Sequence, residues 1–247
     1  MAQVVDPLAM PAPGDGVAAD ARFLARWIVL ALAAGAIGGA LGGGVGGRVA
    51  MFVLRLTSPD RARGVISDDG FEIGRFTATT VTLVLLTAVL GSGVGLAYTA
   101  VRGFLPARWR VPLWAGTGAV VGGAMLVHPD GVDFTLLEPT WLACLLFVVV
   151  PALGAGLIAW FVERWSTWWC VDRRRTRAVG AIGVIALVSP LTLALAPAFA
   201  AILAAGRLGV VRSGARALWG RALCWIGMVS VLAIGARDLL DDLRALL

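Results

Sequence analysis

Residues 35 to 47 read GAIGGALGGGVGG, and this stretch limits the fold more than any other part of the chain. Gly35, Gly39, Gly43 and Gly47 recur every fourth residue, and Gly38, Gly42 and Gly46 form a second row beside them. Positions four apart share one helix face, so the glycines make a broad strip without side chains. In water such a helix would hardly persist, because each Gly costs about 1 kcal/mol relative to Ala. In a bilayer the backbone satisfies its own hydrogen bonds, and the bare strip becomes a surface that another helix can approach closely. The pattern is that of a glycine zipper. It predicts packing rather than chemistry.

Composition points the same way. The chain is 59% hydrophobic, with a mean hydropathy of +0.88, too apolar for a soluble globular protein. Several apolar runs approach or exceed the ~20 residues that cross a bilayer. All 21 basic residues are Arg, and the chain has neither Lys nor Asn. Both missing types have A-rich codons, so a GC-rich bacterial genome explains the choice without invoking arginine-specific recognition. The net charge of +6 does not point to nucleic acid, because the arginines stand at the ends of apolar runs. Membrane topology and anionic lipid headgroups call for them there. Cys144, Cys170 and Cys224 show no CxxC spacing and support neither a disulfide framework nor a zinc site.

Residues 1 to 22 are Pro-, Gly- and Ala-rich without periodicity, which predicts a disordered cytoplasmic tail. The tail lacks the basic n-region of a secretory signal, so the first apolar run reads as a retained anchor. Residues 23 to 237 read as an all-α polytopic transmembrane bundle. Its six membrane segments fall at about 27–56, 76–101, 111–127, 139–162, 178–205 and 218–236. Residues 238 to 247 predict a short amphipathic helix, with Leu239, Leu240, Leu243 and Leu247 on one face lying on the membrane or against the bundle.

Within segment one, Trp27 to Gly47 covers about 30 Å and places Arg48 at the far interface. A register shifted toward Leu56 would make Arg48 an intramembrane charge instead. Arg22, Arg26 and Trp27 favour the first register by fixing the near end. Ala88, Gly91, Ser92 and Gly95 in segment two offer small-residue rows as partners, as do Gly118 and Gly122 in segment three. Trp141 and Trp160 bracket segment four as aromatic belts. Segment five carries Ser189-Pro190 and Pro197, which makes it the broken-helix candidate.

The positive-inside rule sets the orientation. With the N-terminus inside, Arg102 to Arg110 and the cluster Arg173, Arg174, Arg175 and Arg177 are cytoplasmic, and the turn from His128 to Glu138 is external. Six crossings then put Arg207, Arg212, Arg216 and Arg221 outside, against the rule. A fifth segment that dips in and returns would give five crossings and an external C-terminus. Its length suits one kinked, tilted helix better, which favours six.

The external loops gather Asp60, Asp68, Asp69 and Glu72 with His128, Asp130, Asp133 and Glu138. Carboxylates with one imidazole attract cations, but their spacing is that of ordinary turn and cap residues rather than of metal ligands. GGGVGGRV lacks the Lys-Ser/Thr of a phosphate loop, and neither GxSxG nor HExxH occurs. No metal, cofactor or catalytic residue is expected. The reading is a non-enzymatic membrane scaffold or interaction protein of the plasma membrane. Its partners would be the bilayer, anionic headgroups met by the Arg173–Arg177 cluster, and a second copy or another membrane protein. The alternatives are a small channel or transporter with a cation-attracting external mouth and, more weakly, an enzyme acting on lipid.

Overall fold

The computed structural model describes residues 17–59, 78–131, 134, 137–169, 173–187, 189 and 214–247. These residues form helices and turns, with no strand among them. The first rod comprises α1 (Val17–Gly39), a π-helical stretch (Ala40–Val45) and α2 (Gly46–Thr57). Then come α3 (Ala78–Val101), a 3-10 turn (Ala107–Trp109), α4 (Arg110–Leu126), α5 (Thr140–Ser166), α6 (Arg173–Leu187) and α7 (Gly214–Leu246). Among the described residues, three helical stretches are long and apolar enough to cross a membrane: Ala21–Thr57, Thr79–Val101 and Thr140–Ser166.

The first rod is the axis, and glycine decides what it meets. A Cβ at Gly35 would run into the Gly91 carbonyl and stand 2.6 Å from Ser92 Cα. One at Gly39 would strike the Thr87 carbonyl and come within 2.9 Å of Gly91 Cα. The contacts are mutual, since Gly95 abuts the Ala31 carbonyl. Antiparallel α1 and α3 therefore touch backbone to backbone. The second glycine row meets α5 instead: Gly38 lies against Ile158, and Gly42 against Gly154. Ser92 is fully buried at the first contact and donates to the Leu32 carbonyl (3.3 Å) as well as to Ala88 in its own helix (2.9 Å).

Not every glycine of the strip is engaged. Gly46 has its nearest neighbours at 3.6 and 4.0 Å, and Gly47 has open space around it. The π-helical stretch explains this. A π turn takes up extra residues and rotates everything after it relative to a straight α-helix. Gly44, outside both rows of the sequence pattern, is packed against Val84 and Thr87 in their stead. Gly118 and Gly122 of α4 meet α5 at Pro151 and Ala155 rather than the first rod. Pro151 sits inside α5, where it removes one backbone donor.

The ends of the bundle differ. At one end Trp27, Tyr98, Leu105, Trp114, Val162 and Trp169 form an aromatic-rich cluster. At the other, Leu54, Val127, Phe134, Leu137, Cys144 and Leu239 close a mainly aliphatic one. There Ser58 links the end of α2 to the start of α5: its hydroxyl accepts from the Glu138 N–H (2.9 Å) and donates to the Glu138 carbonyl (3.3 Å).

Two boundaries depart from the sequence reading, and one lies outside the described residues. Helix α1 begins at Val17, inside the stretch expected to be a tail, while residues 1–16 lie outside the described residues. No separate helix covers 238–247, because α7 continues unbroken through Gly235, Ala236 and Arg237 to Leu246. Its buried face is Leu239 with Leu243 and Leu246, whereas Leu240 and Leu247 are exposed. The second half of segment five falls outside the described residues, apart from Ser189.

The direction of α7 is a further difference. Trp225 and Met228 join the aromatic-rich cluster, Gly235 lies beside Val120, and Leu239 lies beside Gly123. The numbers rise together, so α7 runs parallel to α4. Six crossings with both chain ends on one side require the opposite direction. The apolar face of α7 sets its direction by seating Leu239, Leu243 and Leu246 against the aliphatic end.

Candidate functional site at the arginine end

Helix α3 ends at Val101, and a short turn (RGFLPARWR) leads into α4. Turns cluster polar groups at a bundle end, and here two of its arginines fold inward. Arg102 forms a two-point pair with Glu163 of α5, through Nε to Oε1 (2.8 Å) and Nη2 to Oε2 (2.9 Å). Arg110 Nη1 donates to Oε2 from 3.3 Å, while its Nε reaches the Leu105 carbonyl at 3.4 Å. The Tyr98 hydroxyl, on a fully buried ring, donates to Oε1 at 2.7 Å. One carboxylate thus gathers three side chains from three elements.

The surroundings hold this geometry. The Arg102 guanidinium lies over the Trp27 ring, 4.8 Å from its centroid, a cation–π contact that joins α1 to the network. Tyr98 packs against Trp114 with ring centroids 5.4 Å apart. The Arg102 and Glu163 side chains are only 20% and 27% exposed. Burial opposes the Arg102 charge, but its hydrogen bonding and charge pairing with Glu163 more than offset this and hold it above its ordinary range. The indole N–H groups of Trp114 and Trp169 are buried and have no acceptor among the described residues.

Around the pair lies an exposed arginine rim. Arg26 of α1, Arg108 beside α4 and Arg177 of α6 face outward. Arg108 lies over the Trp109 ring at 5.6 Å, and Trp109 is 49% exposed. Of the cluster expected to meet headgroups, Arg174, Arg175 and Arg177 are exposed at the start of α6, and Arg173 is its first residue. The arrangement can bind anions at the rim and fix helix ends through the pair beneath.

The acidic set expected at the opposite end is not brought together among the described residues. His128 and Asp130 are exposed, and no group of three metal-ligating side chains occurs there. Asp60, Asp68, Asp69, Glu72 and Asp133 lie outside the described residues. Arg48 lies about 31 Å along the first rod from Trp27. It lines a cavity of about 180 Å³ with Gly43, Gly47, Thr87, Phe147 and Pro151.

Glu163 went unread in the sequence. It is the only acid between Trp141 and Cys170, and a lone carboxylate near the end of a long apolar helix is costly unless paired. That was the available signal. No protein-family profile, no curated protein and no solved structure matches this chain.

Proposed function

We propose that this chain is a multi-pass integral membrane protein whose role is that of a scaffold, with the glycine strip as the internal packing face of the bundle. The observation that carries this reading is the approach of α1 to both α3 and α5 through Gly35, Gly38, Gly39 and Gly42, where no Cβ fits. A helix that spends its glycines on two neighbours in its own chain is built for a rigid bundle. The exposed Val81, Leu85, Leu86 and Leu90 of α3 support a bilayer around it, since lipid is the solvent that covers such a face. The N-terminus is then cytoplasmic in a bacterial plasma membrane, with the arginine end on that side.

Gly39→Leu and Gly91→Leu test the packing. Both are expected to lower the melting temperature sharply in detergent and to broaden the elution profile. Unaltered melting and elution for both would overturn the reading. A small channel or transporter is the alternative, favoured by the cavity beside Arg48 and Pro151. Conductance in a planar bilayer that follows protein dose and changes in Arg48→Gln would raise it above the scaffold.

A further inference from the structure

Two described helices, α6 and α7, begin at the arginine end. Helix α6 starts there, seven residues after α5 stops at Ser166. Val179 joins the aromatic-rich cluster, Gly183 abuts the Val29 carbonyl, and Ala186 and Leu187 lie with Ala31, Leu32 and Leu96. Leu32 is about 8 Å along α1 from Trp27, so α6 has gone only partway down the bundle at Leu187. Helix α7 then starts at the same end and runs the full length beside α4. Leu247 therefore lies at the end opposite the start of α1.

We infer that α1 begins and α7 ends on opposite sides of the membrane, and that the arginine end is one continuous surface for anionic phospholipid headgroups to which α7 contributes its first turns. The inference rests on the membrane reading above. Under six crossings, Arg216 and Arg221 would stand apart from the other arginines. The parallel course of α4 and α7 brings these two positions to the same end as Arg26, Arg108 and Arg177. Among the described residues the acids at that end are Asp20 and Glu163; Glu163 is already bound by Arg102 and Arg110, and one remaining acid leaves Arg26, Arg108 and Arg177 in cationic excess. The opposite end mixes Asp130, Glu138, Asp238, Asp241 and Asp242 with Arg55, Arg237 and Arg244, the last two paired with Asp241. A phospholipid phosphate fits the arginine rim better than nucleic acid or an acidic protein does. The arginines ring the ends of apolar helices at headgroup depth, and exposed Trp109 beside Arg108 has the amphipathic shape that sits at that level.

The test uses the full chain with Cys144, Cys170 and Cys224 replaced by Ala. Single cysteines are then placed by Arg108→Cys, Gly214→Cys or Leu247→Cys. A membrane-impermeant maleimide is applied to intact cells and to inside-out vesicles. The 108 and 214 positions should react in the inverted vesicles, and the 247 position in cells. Reaction of 108 and 247 from the same side would overturn the topology. For the headgroups, the wild type should gain melting temperature when phosphatidylglycerol replaces phosphatidylcholine. The combined variant Arg26→Gln, Arg108→Gln, Arg177→Gln should lose most of that gain. An undiminished gain in the variant, or none in the wild type, would overturn the headgroup surface. Release of the protein by alkaline carbonate marks failure of the membrane reading itself, which is a separate outcome.

Discussion

The middle of the bundle and its arginine end hold helices together by opposite means. In the middle, side chains are missing: α1 and α3 meet through Gly35, Gly39, Gly91 and Gly95, and the contact is backbone on backbone. At the arginine end, long charged side chains reach inward, and one carboxylate ties α5 to α3 through Tyr98, to the turn after it through Arg102 and to α4 through Arg110. The first arrangement tolerates no added atom, because neighbouring backbones cannot move aside. The second is sensitive to charge, because a lost partner leaves a largely buried ion without its counter-charge. Position is fixed by shape in one region and by electrostatics in the other.

Substitutions can break this contrast in order of size. Gly39→Leu should act most strongly, at or beyond about 4 kcal/mol, and should read out as loss of cooperative melting. Glu163→Ala comes next, at roughly 2–3 kcal/mol, since it leaves Arg102 and Arg110 facing each other without their acceptor. A double-mutant cycle with Arg102→Ala sharpens this: coupling should be clear for Arg102 with Glu163 and absent for Gly39 with Glu163. Ser58→Ala, at the far end, should cost about 1 kcal/mol by leaving the Glu138 N–H without its acceptor. Trp114→Phe should change least, within about 1 kcal/mol, because the lost ring area is offset by removing a buried donor that has no acceptor among the described residues.

The contacts of Gly35 and Gly39 with α3 have a local signal in the sequence and the pairing at the arginine end has none, for a physical reason. Glycine at four-residue spacing is a local signal, and the small residues at 87–95 announce a matching surface. An ion pair between residues 61 apart, Arg102 and Glu163, has no local signature. Arg102 and Arg110 read as orientation signals, which tells nothing of what their side chains grip. Tyr98, the single tyrosine of the chain, has no local signature for its bond to Glu163 either. The direction of α7 was hidden because the even count of apolar runs suggested an even count of crossings. Only the pairing of Gly235 with Val120 and of Leu239 with Gly123 shows which way that helix runs. The loss of Gly46 and Gly47 from the packed strip was hidden too, since a period counted on an ideal helix cannot foresee a π turn.

That π turn at Ala40–Val45 makes the first rod a shaft with two keyways cut at different angles. Above it, the bare tracks seat α3 and α5; below it, Arg48 and Gly47 are swung to the cavity. Each residue advances an α-helix by about 100°. Deleting a single residue within 40–45 would let the rod revert to one pitch and would turn Arg48 away from Phe147 and Pro151 without altering any contact of Gly35. The length of this segment, counted to the residue, is as much a specified quantity as the identity of any side chain in it.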